Sequence, residues 1–529
     1  MSKVYLYDTT LRDGAQSEGI SFSVVDKLHI TEKLDELGVS FIEGGWPGSN
    51  PKDAEFLQKA SKLPLKNARL AVFGSTRRVG MKAEEDNNLI MLVKTGVKIA
   101  AIVAKSSIMQ VTQVLGTTPE ENLNMISDSV RYLKANGMAV FVDAEHFFDG
   151  YKVDPEYSLR TLVAAAEAGA ECLVLCDTNG GALVEEVSRA VEAATKAVKV
   201  SLGIHVHNDG GLAVANSLAA VRAGVTQVQG TINGYGERCG NANLCTIIPA
   251  LKLKMDINCV SDAQLARLTE VSRFVSETAN LAPDPFSPYV GASAFSHKAG
   301  YHVDGLAKWE HAYQHINPAL IGNRKRAVVS ELSGKDNITF KAKELGIALP
   351  TDKTVIQKLL TQIKQKESHG YQYENAEASF ELLLYHSLPD YRPPFELVDF
   401  MVLVETRRRA PVRNHLEDTL AEAMIKVRIG NEVIHTAAEG NGPVNALDQA
   451  LRKALLQFYP RLAAVKLIDY KVRILEESTG TESQVRVFIE STDGESEWRT
   501  VGSSANIIEA SWLALADAVE YWLTKKTAN

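Results

Sequence analysis

The stretch Val4-Tyr5-Leu6-Tyr7-Asp8-Thr9-Thr10-Leu11-Arg12-Asp13-Gly14-Ala15-Gln16 begins as a short apolar run and ends in reactive side chains. The run is the right length for a strand. Beyond it come a carboxylate, two hydroxyls, a guanidinium and a second carboxylate, then a glycine suited to a tight turn. Asp13 offers hard oxygen atoms to a divalent cation, and Arg12 offers a planar fork to a carboxylate or an enolate oxygen. Taken alone, Arg12-Asp13 also fits a surface ion pair, so the surrounding chain has to discriminate.

Working outward, the same rhythm repeats. Strand candidates lie at Val4–Thr9, Phe41–Trp46, Arg69–Phe73, Ile99–Ala104, Ala139–Glu145, Cys172–Asp177, Gly203–His207 and Gln227–Ile232. Helical patterns separate them at Val24–Leu37, Pro119–Asn136, Pro155–Ala168, Leu183–Ala197 and Leu212–Ala223, several ending at a glycine. Eight such units within about 275 residues predict an α/β fold, a closed (β/α)8 TIM barrel. An open doubly wound sheet is the alternative, but no Gly-x-Gly-x-x-Gly follows the first strand. The strand C-terminal ends carry Arg12-Asp13, Glu43, Lys105, Asp143 and Glu145, Asp177-Thr178, His205 and His207, and Asn233 onward. Barrel active sites form at that end, and the opposite ends show little chemistry.

The 529 residues exceed one domain, and the net charge of −8 opposes a nucleic-acid-binding surface. Arg407-Arg408-Arg409 is the only compact basic run and reads as a solvated strand end. No apolar segment is long enough to cross a bilayer, and no targeting segment precedes the first strand. Cys172, Cys176, Cys239, Cys245 and Cys259 are odd in number and lack Cys-x-x-Cys spacing, so neither a disulfide framework nor a cysteine zinc site is expected. The expected compartment is the cytoplasm.

The expected division is 1–275 for the barrel, 276–390 for a helical accessory segment, and 391–529 for a C-terminal α+β unit. Helical patterns appear near Asp352–Glu367 and Glu374–Leu384, and Pro389-Asp390-Tyr391-Arg392-Pro393-Pro394 reads as a linker. The last segment is internally duplicated: Thr436 with Thr500, Ala446 with Ala510, Ala450 with Ala514 and Leu451 with Leu515 share one offset of 64 residues. Each copy reads as strand, strand, helix. Glu439-Gly440-Asn441-Gly442-Pro443 precedes a helix N-terminus, a place for a small carboxylate or simply a tight turn.

In His205-Val206-His207 the two-residue period of a strand turns both imidazoles to one face. Two imidazoles and a carboxylate such as Asp13 form a common divalent-metal set with positions left for substrate, and Asn241 is a weaker fourth candidate. Glu145 is a candidate base or substrate-ordering group, with support of the metal-bound histidines as its alternative, and Asp143 shares its face. Thr178 can donate to a substrate carboxylate. Such a set suits chelation of a 2-oxo acid, with Arg12 stabilising the developing oxyanion while a second, acyl substrate supplies an enolate.

Asp8–Gln16, His205-Val206-His207-Asn208 and Gly234-Tyr235-Gly236-Glu237-Arg238-Cys239-Gly240-Asn241 resemble the signatures of the isopropylmalate, homocitrate and citramalate synthases, metal-dependent Claisen condensing enzymes related to hydroxymethylglutaryl-CoA lyase. His297–Gly305 and Tyr313 resemble the family's accessory segment, and residues 395–529 its regulatory domain. The resemblance implies acetyl-CoA as co-substrate and a divalent cation (Zn, Mn or Mg) on Asp13, His205 and His207, with Asn241 nearby. It also implies Arg12 and Thr178 on the oxo acid, and proton handling by Glu145 with His302 and Tyr313 supplied across a homodimer. Phe41–Asp53 and Val142–Tyr151 resemble the long citramalate-forming branch, which implies pyruvate as oxo acid, isoleucine synthesis as the pathway and isoleucine as effector. In that branch Asp143 becomes the residue facing the oxo acid, where isopropylmalate synthases carry a smaller one. Sister synthases using other oxo acids, a cleaving lyase and a non-catalytic amino-acid sensor are the competing expectations.

Overall fold

The computed structural model describes residues 3–527 apart from 298–304, 306–307, 310–311, 328–334, 351–352, 374–375, 407–418 and 476–482. These residues fall into two compact units, 1–295 with 315–325, and 296–314 with 326–529.

The first unit is a closed barrel of eight parallel strands: β1 (Tyr5–Asp8), β2 (Phe41–Glu43), β3 (Arg69–Ser75), β4 (Ile99–Lys105), β5 (Ala139–Glu145), β6 (Cys172–Asp177), β7 (Ser201–Val206) and β8 (Gln227–Gly230). β1 pairs with both β2 and β8, which closes the ring and confirms the expected fold. The helices form where the apolar period and the end signals agree. Val24–Leu37 starts at a capping box between Ser23 and Asp26, buries Ile30, Leu34 and Leu37, and stops at Gly38 with φ 87°. Each such side chain contributes roughly 1.5–3 kcal/mol by leaving water.

Inside the ring, Tyr7, Phe41, Phe73, Phe141, Cys172 and Val174 pack into one buried cluster. Phe41 and Phe141 meet edge to face at 5.2 Å. This plug makes the barrel interior a solid floor rather than a pore, so the polar groups above it are held at the strand C-terminal ends.

In the second unit a two-residue parallel pairing joins β9 (Ser296–His297) and β10 (Arg326–Ala327). Helices Lys335–Glu344, Lys353–Ser368 and Glu377–His386 come next. Two copies of one motif complete the unit. The antiparallel sheet β11 (Glu396–Thr406), β12 (Thr419–Ile429), β13 (Glu432–Gly440) leads into helix Pro443–Leu455. The sheet β14 (Lys466–Ile474), β15 (Val485–Thr492), β16 (Glu497–Ser504) leads into helix Ile507–Thr527. Each copy thus has three strands, not the two expected. The extra strands are edge strands: β14 is exposed along most of its length, although Tyr470, Val472 and Ile474 alternate with Asp469, Lys471 and Arg473. The duplication extends to chemistry, since Thr436 Oγ1 donates to Ala450 O at 2.9 Å and Thr500 Oγ1 to Ala514 O at 2.7 Å.

The second compact unit runs through residue 390. The Pro389–Pro394 stretch is tied down, because the Tyr391 hydroxyl donates to Glu520 at 2.8 Å and the Ser379 hydroxyl to Asp517 at 2.6 Å, which docks 377–391 on the C-terminal helix. The Glu439–Pro443 turn does precede a helix, and it folds on itself, with Asn441 N donating to Asn445 Oδ1 at 3.2 Å.

Candidate active site

Asp13 follows β1 at the head of a single 3-10 turn, and the Asp13 N–H leans on Thr9 Oγ1 at 3.4 Å. Gly14 is buried with no left-handed backbone, and an added Cβ would make only ordinary contact, 3.4 Å from Thr231, so neither a turn nor packing requires glycine there. His205 is on β7 and His207 just beyond it, both buried. Asp13 Oδ2 lies 3.3 Å from His205 Nε2 and 4.0 Å from His207 Nε2, and the two Nε2 atoms are 3.3 Å apart. Among the described residues these three are the group whose ligand atoms converge within 4.8 Å.

Asn241 arrives beside His207 through a tight loop. Gly240, at φ 87°, would place a Cβ 2.0 Å from Gly234 O, so only glycine lets Asn241 N reach that carbonyl at 3.0 Å. An isolated bridge pairs His207 with Asn241. Arg238 braces the loop from outside, with a forked pair to Asp209 at 2.8 and 2.9 Å and a bond to Thr178 O at 2.8 Å.

Burial would raise Asp13, but Arg12 and the two imidazoles outweigh it and hold the carboxyl well below the usual range. Burial and the neighbouring His205 push His207 down to about 4. A charged carboxylate and a neutral imidazole are the forms a cation needs. Asn241 Oδ1 is buried with no hydrogen-bond partner, a stranded acceptor at the same place. The donor set therefore fits a divalent metal.

Arg12 is oriented from three sides. Its Nε donates to Glu43 Oε2 at 2.6 Å, its guanidinium carbon stands 3.8 Å over the Phe73 ring, and Nη1 is 3.6 Å from Asp13. Glu43, fully buried, also accepts from Tyr7 OH at 2.7 Å and Thr9 Oγ1 at 2.5 Å. The Gly44-Gly45-Trp46 turn beyond it is held by the buried Lys27–Asp53 pair at 2.6 Å, whose carboxylate also accepts Trp46 N at 3.0 Å.

Glu145 ends β5 in an ion pair with Lys105, its register partner on β4. Thr178 Oγ1 accepts His146 N at 2.8 Å, which leaves its hydroxyl hydrogen for another acceptor. Asp143 is buried, and its Oδ1 accepts Gln229 Nε2 at 3.2 Å. Burial, with Glu43 close by, pushes Asp143 up to about 7.

Arg12, Asp13, Asp143, Glu145, Thr178, His205, His207 and Asn241 thus gather at one end of the barrel. His302 lies outside the described residues. Tyr313 belongs to the second unit, where it is 39% exposed and its ring lies against Gly305. Sequence reasoning placed Glu43 and Lys105 at strand ends without giving them a task, and it passed over Gln229. The missed signal was Gln227-Val228-Gln229, where amides alternate inside an otherwise apolar barrel strand.

Known proteins share this arrangement of domains. Residues 3–275 match the HMGL-like family, 289–370 the homocitrate synthase post-HMGL domain-like family and 374–523 the LeuA allosteric (dimerisation) domain. The chain belongs to the HMGL-like family, and its barrel is that family's catalytic class of fold. Within it the chain groups with the (R)-citramalate synthases. It is 53% identical to that of Geobacter sulfurreducens over 99% of this chain and 98% of the relative, and 50% identical to that of Aquifex aeolicus over the same shares. The 2-isopropylmalate synthase of Methanocaldococcus jannaschii is 30% identical over 99% of this chain and 95% of its own.

Proposed function

We propose that the chain is an acyltransferase that condenses acetyl-CoA with pyruvate and hydrolyses the thioester, giving (R)-citramalate and coenzyme A. The observation that carries this is the near-full-length identity to (R)-citramalate synthases, 46–53% in five relatives, over a barrel mouth with the residues the chemistry needs. When bound, the cation held by Asp13, His205 and His207, with Asn241 Oδ1 beside them, supplies Lewis-acid polarisation of the oxo acid. The imidazole pair favours Zn or Mn over Mg.

This chain's own residues do the rest. The Arg12 Nη groups, aimed by Glu43, neutralise the oxygen that gains charge as the new carbon–carbon bond forms. The Thr178 hydroxyl donates to the pyruvate carboxylate. Glu145, beside Lys105, orders or takes the acetyl methyl proton, and His302 and Tyr313 of the accessory segment complete the proton path from a second copy in a homodimer. Water then cleaves the thioester and releases coenzyme A.

The functional division is 1–275 catalytic, 276–390 accessory and 391–529 regulatory, which the three family matches support. The LeuA-type domain supports feedback by a pathway end product, and isoleucine is the effector proposed for a citramalate-forming enzyme. Five free cysteines, four of them buried, suit the reducing cytoplasm. No helix among the described residues is long and apolar enough to cross a membrane.

Coenzyme A release measured with pyruvate, 2-oxoisovalerate and 2-oxoglutarate tests the reading. Turnover on pyruvate at least tenfold above the others is the expected result, and preference for either other acid overturns it. Isoleucine titration tests the effector: no binding and no loss of rate discards it.

A further inference from the structure

We propose that Gln229 and Asp143 are positioning residues that hold His205 in the one tautomer able to bind a metal. The assignment rests on the metal site formed by Asp13, His205 and His207.

Gln229 is on β8 and fully buried, and Asp143 lies on β5 with 5% exposure. The amide bridges two groups in the barrel interior. Its Nε2 donates to Asp143 Oδ1 at 3.2 Å, and its Oε1 stands 3.0 Å from His205 Nδ1. The Gln229 NH2 faces Asp143 and its carbonyl faces the ring, the arrangement required when Asp143 is ionised, because a carboxylate can only accept. A carbonyl can only accept as well. His205 Nδ1 therefore carries a proton, which in the neutral ring leaves the lone pair on Nε2. That atom is the one at 3.3 Å from both Asp13 Oδ2 and His207 Nε2. Turned over, the amide would set carbonyl against carboxylate and NH2 against the ring N–H. The polarity thus runs one way, from a carboxylate on β5 through an amide on β8 to an imidazole on β7.

Two further facts separate this from ordinary packing. His207 Nδ1 is buried without a partner, so only His205 of the pair is oriented in this manner. A buried amide also costs free energy unless its hydrogen bonds are made, and an apolar side chain would fill the same space in a barrel interior plugged mainly by aromatic, aliphatic and Cys side chains. Groups behind metal ligands commonly change affinity 10- to 100-fold when altered.

The test reverses the polarity. Gln229→Glu, Asp143→Asn and the double variant are compared with the unaltered full-length protein at pH 8.5, where the carboxylates are charged. Co2+ affinity is measured by calorimetry and by its visible absorption, and the His205 tautomer by ring 15N shifts in the metal-free protein. Gln229→Glu is expected to bind Co2+ roughly 10-fold or more weakly, because two carboxylates then face each other. Asp143→Asn is expected to weaken binding and to give a mixed tautomer signal. In the double variant the new amide at position 143 can donate to the new carboxylate at position 229. The other oxygen of that carboxylate accepts the ring N–H, so affinity and tautomer both return to near the original. Single variants that match the original in affinity and tautomer, or a double variant no better than the weaker single, overturn the proposal. Asp13→Asn and His207→Ala run beside them: unchanged Co2+ binding in those two would remove the metal site itself, whereas their loss beside a silent polarity swap would remove only the relay.

Discussion

Arg12 Nε and Glu43 Oε2 meet at 2.6 Å, and the carboxylate has no exposed surface. A guanidinium that donates inward through Nε presents its two Nη groups outward, toward the mouth of the barrel. Glu43 takes two other donors, Tyr7 and Thr9, so its position is over-determined, and that of Arg12 follows. Glu43→Gln keeps the shape but loses acceptor capacity. It is expected to lower stability by about 1–3 kcal/mol and to raise KM for pyruvate more than it lowers kcat. Thermal unfolding and steady-state kinetics check this; an unchanged KM would mean that Glu43 does not aim Arg12.

Glu145 contacts Lys105 across neighbouring strands, and the next residue, His146, donates its N–H to Thr178 Oγ1. Glu145→Gln preserves size and most hydrogen bonding while removing the proton acceptor. A kcat lower by roughly 10²–10⁴ with little change in KM for pyruvate is expected if it takes the acetyl proton. Exchange of the acetyl-CoA methyl protons with deuterated water gives a direct reading, and wild-type exchange in the variant would move the base to another residue.

The barrel was legible because most strands are short apolar runs and several helices begin and end on their own signals. Helix Val24–Leu37 matches its expected bounds residue for residue, since Ser23 and Gly38 mark both ends. The metal-ligand candidates were legible for a similar reason: His205 and His207 share a strand face whatever surrounds them. Gln229 was not, because its importance depends on Asp143, 86 positions away in sequence, and only closure of the ring brings them together. Edge strand β14 was passed over although Tyr470, Val472 and Ile474 alternate with charged residues, because the 64-residue offset draws attention to the strand that leads into each helix.

Asp517 offers a pH dependence remote from the barrel. Burial raises its carboxyl to about 6, against the favourable bond from Ser379 and the charges of Lys366 and His386, with Glu520 adding to the rise. The folded form therefore holds a proton that the unfolded chain releases near 4, so stability falls as pH rises from about 4 through 6. His386, raised mainly by its bond to Glu520 and opposed by burial, adds to the same trend: its contribution is full below about 6.5 and is lost as pH climbs through its folded value. Asp517→Asn should flatten the lower part of that slope. Half-burial of Asp517 limits the effect to the order of 1 kcal/mol. Chemical denaturation between pH 4 and 8 measures it, and parallel slopes in both proteins would refute the assignment.

The duplicated threonines provide an internal control. Thr436 and Thr500 make the same bond to the fourteenth residue onward, yet Thr500 is fully buried and Thr436 only half-buried. Valine is nearly isosteric and suits a strand, so Thr→Val isolates the hydroxyl. The accepting helix carbonyls keep one intrahelical partner in either variant, which keeps both costs near the low end for a hydrogen bond, about 0.5–1.5 kcal/mol. Water can replace the lost donor at position 436 but not at 500. Thr500→Val should therefore destabilise more than Thr436→Val, and the double variant should show their sum, because the two sites lie in different sheets. Equal losses would show that burial does not govern the strength of this repeated bond.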